Sequence, residues 1–185
     1  MNRAEVDREI IERVKAGEQA AFRELVNSYK DDAFALACSI LKDHDWAEDV
    51  LQEVFLKVFQ KIRSFKYQSS FYTWLYRIVV NRCYNELRRN KGRRTEALEN
   101  ISELDKGTDL PDPNNVNEYV LLALNQMKAD EALVLRLFYL SELNIEEVMQ
   151  VTGFGKSKVK VSLHRGRKNL ADLLRKYLGK EIEDL

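Results

Sequence analysis

Three groups of side chains have the make-up of binding surfaces. Between Phe65 and Arg82, aromatic residues interleave with basic, amide and hydroxyl ones: Phe65, Tyr67, Ser69, Ser70, Phe71, Trp74, Tyr76, Arg77, Asn81 and Arg82, with Arg88 and Arg89 beyond. Duplex DNA hides its base faces and an unwound strand exposes them. Aromatic shelves beside positive charge are therefore what single-strand binding requires, each stack contributing about 1–3 kcal/mol. A base swung out of its stack is read by hydrogen bonds in a small pocket, a role suited to short hydroxyls such as Ser69 and Ser70. Phe65 and Tyr67, in a loop, are expected to be exposed; Trp74 is assigned to the core.

The second group lies near the C-terminus. Lys156, Ser157, Lys158, Lys160, Val161, Ser162, Arg165, Arg167 and Lys168 decorate a segment whose apolar positions are Val159 and Leu163. A preceding segment, Ile145 to Val151, is joined to it by Thr152-Gly153-Phe154-Gly155. Two helices joined by a tight Gly-containing turn form a helix-turn-helix. Its second helix enters the major groove with N-terminal side chains at base edges, while basic residues further along sit on phosphates and set orientation. Gly155-Lys156-Ser157 also matches the tail of a phosphate-binding loop, but Gln150 stands where that loop needs glycine.

The third group is acidic. Asp45, Glu48, Asp49, Gln52, Glu53 and Leu56 recur at three- and four-residue steps. On a helix they form one strip, grading from polar to apolar, that fits a partner helix bearing arginine; a solvated acidic face is the equally weighted alternative.

The elements that must carry these groups are helices. Val6, Ile10, Ile11 and Val14 make one apolar stripe, and Phe22, Leu25, Val26, Tyr29, Ala33, Leu36, Ala37 and Ile40 a second, longer one. Asp43 to Asp45 supply cap chemistry for a third helix over about Trp46 to Lys61, with Val50, Val54, Leu56, Val58 and Phe59 as its core positions. Residues 63–70 read as a loop and Phe71 to Arg89 as a fourth helix. Beyond lie Tyr119 to Gln126, an apolar helix from Ala129 to Leu140, and the helix-turn-helix, with Leu170 to Leu178 as its extension or tail. The fold class expected is all-α: two small helical domains, 1–95 and 118–185, joined by a flexible acidic linker over 96–117. That linker holds both prolines, Pro111 and Pro113, and the acids Glu96, Glu99, Glu103, Asp105, Asp109 and Asp112.

Thirty basic residues balance thirty acidic ones in 185, but the balance is uneven along the chain. One basic island runs from Lys61 to Arg94 with Glu86 as its single acid, and another from Lys156 to Lys176 with Asp172 as its single acid. Two such islands suit two contact points on a polyanion. No apolar run approaches the roughly eighteen residues of a membrane span, so no stable membrane insertion is expected. Cys38 and Cys83 read as free thiols of a reducing, cytoplasmic compartment. His44 and His164 lie far apart, without an acid pair or metal-ligand spacing. No enzyme activity, metal, cofactor or small-molecule substrate is expected.

In this order the three groups resemble the bacterial RNA polymerase sigma factors, in particular the extracytoplasmic-function (ECF) group. Ala47 to Phe55 looks like that group's polymerase-binding helix, Ser70 to Ile78 with Asn81 like its promoter-melting helix, and Val159 to Lys168 like its upstream recognition helix. The resemblance implies that Asp49, Gln52 and Glu53 meet the clamp helices of core RNA polymerase. It implies that residues 65–70 capture a flipped base of the minus-ten element, with Arg77, Asn81, Arg88 and Arg89 on nearby strands. It further implies that residues 156–168 lie on the minus-thirty-five element of promoter DNA, that the linker threads the polymerase channel, and that an anti-sigma factor restrains the protein. The chain departs from the group's usual pattern at Lys158, at Val161-Ser162 and at Gly166, where alanine is usual. The alternative is a stand-alone helix-turn-helix regulator that dimerises and binds duplex operators without polymerase.

Overall fold

The computed structural model describes the backbone of residues 3–94 and 116–179, and side chains over 5–90 and 116–179. Most of the expected linker therefore lies outside the described residues. Among those residues no strand occurs. The N-terminal unit comprises α1 (Arg3–Lys15), α2 (Gln19–Leu41), α3 (His44–Lys61), a single 3-10 turn (Ile62–Ser64) and α4 (Phe71–Arg94).

Helix α2 is the hub, packing against α1, α3 and α4. Its buried positions Ala21, Leu25, Tyr29, Ala33, Leu36 and Ala37 follow the helical period. Tyr29 is 1% exposed, and its hydroxyl donates to Asp7 on α1 at 2.5 Å, so that burial leaves its polar end satisfied. Helix α3 starts where Asp43 accepts the Trp46 amide at 2.9 Å, the cap expected from sequence. Three apolar residues expected in the core face solvent instead: Val6 (37% exposed), Leu56 (63%) and Phe59 (52%). Val50, Val54 and Val58 already fill the inner face of α3, and Leu56 and Phe59 fall on its opposite flank.

The C-terminal unit comprises α5 (Val116–Gln126), α6 (Ala129–Leu135), α7 (Ile145–Thr152) and α8 (Lys156–Leu178). Residues 116 and 117, expected in the linker, are helical. The helix expected to run unbroken to Leu140 instead widens into a π turn over Arg136–Leu140, with the Ser141 amide on the Arg136 carbonyl at 2.9 Å. Every residue from Glu131 to Leu137 is buried, so α6 has neighbours all round, whereas Tyr139 and Leu140 beyond the widened turn are exposed. Helix α8 continues without interruption to Leu178. It lies so close to α6 that a Cβ on Gly166 would stand 3.0 Å from Leu135 Cγ, which accounts for glycine at that position.

The two units touch. Helix α7 packs on α4 and α6 on α2. Polar contacts cross the seam: Tyr84 to Asp130 at 3.3 Å, Lys42 to Asn125 at 3.3 Å and Thr73 to Glu147 at 3.4 Å.

Candidate nucleic-acid and polymerase interfaces

The acidic strip of α3 is laid out as its spacing predicts. Asp45, Glu48, Asp49, Gln52, Glu53 and Leu56 are all exposed. Beside it runs an open groove of about 690 Å³ between α2 and α3, whose lining includes Gln52, Leu56, Phe22, Val26, Phe55 and Phe59. Phe22 and Phe59 meet edge to face at 4.9 Å. Helical spacing assigns Phe22 and Phe59 to the core, because an apolar residue on such a stripe looks the same in sequence whether the stripe is covered or left open.

The loop between α3 and α4 is ordered by aromatic packing. Phe65 is 6% exposed and Phe71 2%; both lie against Trp74, with ring centroids at 5.1 and 5.7 Å. The expectations that Phe65 is an exposed shelf and that Phe71 contacts DNA are therefore corrected: both rings are committed to the core. Tyr67 is half-buried and takes a left-handed backbone (φ 57°). Its hydroxyl donates to Glu12 at 2.5 Å, and Lys15 Nζ stands 4.3 Å from its ring centre. These bonds hold the Glu12 carboxyl below its usual range, while burial and the bond to Glu12 raise the Tyr67 phenol. Ser70 caps α4, accepting the Thr73 amide at 3.1 Å. Ser69 and Ser70 border a cavity of about 810 Å³ shared with Arg8, Tyr67, Tyr72 and Glu142.

Along α4, Arg77, Asn81 and Arg88 are exposed on one stripe, and Arg89 is exposed beside them, paired to Glu86 at 3.4 Å. Arg82, expected on DNA, is half-buried and engaged by Glu53 and Glu86, the latter at 2.8 Å. It ties α4 to α3, and its guanidinium is not available to a phosphate in this arrangement.

In the C-terminal unit Asn144 and Glu147 form a capping box at the start of α7, and Gly153 closes that helix with φ 73°. Gly153 is the position in the turn that needs glycine's freedom. Helix α8 then presents Lys156, Ser157, Lys158, Lys160, Val161, Arg165, Arg167 and Lys168 to solvent. Ser162, expected among the DNA contacts, is 7% exposed and faces inward between Val159 and Leu163 on the buried side. Two lysines have partners: Lys156 pairs with Glu146 at 3.1 Å, and Lys158 with Asp130 at 2.7 Å while lying over the Phe154 ring. Burial raises both cysteine thiols, Cys83 to about 12, so neither is a thiolate at neutral pH. Among the described residues no cluster of His, Cys, Asp or Glu could hold a metal ion, and no helix is long and apolar enough to cross a membrane.

Two helical units, one with a helix-turn-helix and the other with an aromatic loop over a basic helix, define a class of DNA-engaging proteins. The chain matches Sigma-70 region 2 over residues 25–93 and Sigma-70, region 4 over residues 117–170. It is 30% identical over 181 residues to the ECF RNA polymerase sigma factor SigW of Bacillus subtilis, covering 89% of this chain and 95% of that protein. It is 29% identical over 173 residues to the ECF sigma-E factor of Escherichia coli K12, covering 87% and 90%. The sigma factor RpoE of Bartonella quintana, solved with the anti-sigma factor NepR, superposes with a TM-score of 0.70 at 24% identity, covering 83% of this chain and 96% of that one. CnrH, solved with the cytosolic domain of CnrY, gives 0.65 at 22% identity over 91% and 96%. At these identities the two structures establish the fold.

The chain belongs to the ECF group of the sigma-70 family, a family that is not catalytic: it directs RNA polymerase to promoters at transcription initiation. The resemblance read from the sequence thus holds, and the stand-alone regulator gives way to it.

Proposed function

We propose that the labour is divided among the three surfaces. Residues 1–95 form the unit that binds core polymerase through Asp45, Glu48, Asp49, Gln52, Glu53 and Leu56, and that opens DNA. The loop around Tyr67, Ser69 and Ser70 receives an unpaired base of the minus-ten element, while Arg77, Asn81, Arg88 and Arg89 hold the strands beside it. Residues 118–185 place α8 in the duplex of the minus-thirty-five element through Lys156, Ser157, Lys158, Lys160, Val161, Arg165, Arg167 and Lys168. The acidic segment 96–117 links the two. Because the loop binds one strand only after melting, its affinity for open over closed DNA shifts the equilibrium. The polymerase supplies all of the chemistry, and the protein acts in the cytoplasm. The sigma factor RpoE of Bartonella quintana is solved in complex with an anti-sigma factor, and a partner of that kind restrains this chain too.

The observation that carries this reading is the exposed stripe Arg77–Asn81–Arg88, which runs along α4 from below the loop. Duplex reading by α8 alone would have no use for it. Core polymerase supplemented with this chain, on a genomic DNA library, should start RNA at promoters sharing two elements. Arg77→Ala and Asn81→Ala should impair opening while co-purification with core persists; Asp49→Ala and Gln52→Ala should do the reverse. One common defect in all four variants would refute the division.

A further inference from the structure

Helix α1 precedes the stretch matching Sigma-70 region 2, which begins at residue 25. Its apolar face, Ile10, Ile11 and Val14, is buried in the unit and accounts for its place in the fold. Its polar face carries a separate set of contacts, made by Arg8, Glu12 and Lys15, that fall on the loop between α3 and α4.

Tyr67 holds a left-handed backbone that residues with a side chain seldom adopt, so something outside the loop must over-determine it. Glu12 accepts the Tyr67 hydroxyl at 2.5 Å, and the same Glu12 oxygen accepts Lys15 Nζ at 3.1 Å. Lys15 also donates to the Phe65 carbonyl at 3.1 Å, fixing the backbone where the loop begins. The cations of Lys15 and Arg8 stand 4.3 and 5.3 Å from the Tyr67 ring centre, within reach of a cation–π attraction. Phe65 and Tyr67 in turn meet edge to face at 4.8 Å. Loop backbone and loop ring are thus held by successive turns of α1, and Asp7 and Arg8 continue that helix into the wall of the cavity bordered by Ser69 and Ser70.

We infer that α1 is the positioning element of the strand-capturing loop: Glu12 and Lys15 set the Tyr67 conformation that shapes the pocket, and Arg8 faces the captured strand. The inference rests on the proposed role of the loop in receiving an unpaired base. The cavity wall carries Asp7, Asp32 and Glu142 beside Arg8, so its interior suits an uncharged base and Arg8 is, among the described residues, the one lining cation a phosphate could meet, while Lys15 is kept protonated by Glu12 and Tyr67 despite partial burial. Glu12 and Lys15 touch neither polymerase nor DNA in this scheme. They act through Tyr67.

The test uses full-length chain bound to core polymerase and forked DNAs that are duplex upstream and unpaired downstream, taken from a promoter mapped by transcript start. In each DNA one unpaired position is made abasic. Wild type should lose about tenfold or more in affinity at the position whose base the loop holds, the scale of a single base stack. Glu12→Ala and Tyr67→Phe should flatten that penalty severalfold, with core binding and binding to the upstream duplex unchanged. Glu12→Gln, which can still accept the tyrosine hydroxyl, should recover most of it. Tyr67→Phe removes one oxygen from a half-buried ring, so it tests the inference even if Glu12→Ala folds poorly. If both variants keep the full abasic penalty while Arg77→Ala weakens binding to the forks, the loop reading stands and the role of α1 is overturned. If wild type shows no abasic penalty at any position, the loop reading itself fails, and the role of α1 with it.

Discussion

The two regions proposed to face DNA are built on opposite plans. In the C-terminal unit every residue assigned to the duplex projects from one 23-residue helix, α8, whose Val159 and Leu163 are buried and whose bare Gly166 backs onto Leu135 of α6. In the N-terminal unit the facing surface is assembled from α1, the 65–70 loop and α4, and most of its aromatic rings are spent on packing these pieces together. The difference suits the proposed targets. A duplex offers a regular groove that fits a rigid rod. An extruded base needs a concave receptor, and concavity needs walls from more than one element. A one-helix reader depends on how that helix is seated; a composite receptor depends on contacts between its parts.

The largest effect should come from unseating α8. In Gly166→Val the Cβ would stand 3.0 Å from Leu135 Cγ and 3.1 Å from Cδ1, with two further methyl carbons to place. Overpacking of this kind costs about 1–3 kcal/mol. The thermal midpoint should fall, upstream duplex binding should weaken, and a second change, Leu135→Ala, should restore part of both. If Gly166→Val left duplex binding intact, α8 would not be read as one rigid rod.

A smaller effect separates the cations of α8 from one another. Lys160 and Arg165 are exposed and form no ion pair with any described residue, whereas Lys158 is paired with Asp130. Removing a cation that neutralises one phosphate should reduce the slope of log affinity against log salt by about 0.9. Lys160→Ala and Arg165→Ala should each show that reduction on upstream duplex DNA, and Lys158→Ala should show less. Equal slopes for all three would mean that the Asp130 pair breaks on binding.

How much of each region could be read in the sequence follows the same division. The helix-turn-helix and the exposed face of α8 are legible nearly to the residue, because their period, turn glycine and charges lie on one continuous segment. Ser162 is the exception there: it stands beside Leu163, and spacing alone does not tell which flank of a helix tucks under. In the front region α4 and its stripe Arg77–Asn81–Arg88 are legible for the same reason, but the loop is not. Phe65 looks free in sequence because a loop aromatic has no period to assign it to the core. The part played by α1 leaves no local signal, since Glu12 and Tyr67 lie 55 residues apart. Arg82 and Glu53, which the sequence assigns to different partners, hold each other across two helices.

The smallest effect concerns the seam where the two regions meet. On the α2 side Lys42 faces Arg136 and shares the Asn125 side-chain oxygen with it, at 3.3 and 3.2 Å. Burial of the ammonium against the C-terminal unit, and secondly the nearby guanidinium, push Lys42 down to about 8 from 10.5. A base whose proton is held less tightly when the seam is closed favours closure in its neutral form. Closure should therefore tighten as pH rises from about 8 towards 10.5, and lose this contribution below 8. Tyr84 works the other way: burial and Asp130 raise its phenol from 10 to about 12, so closure is penalised once the separated unit would ionise it, above pH 10. Fluorophores placed on α3 and α8 should report a closed fraction that climbs above pH 8 and turns over beyond 10. Lys42→Met should remove the climb and Tyr84→Phe the fall. The amplitude should be modest, since Lys42 keeps much of its contact with water and solvent screens what remains. A pH-independent signal in the unaltered protein would mean that this seam does not separate the two regions at all.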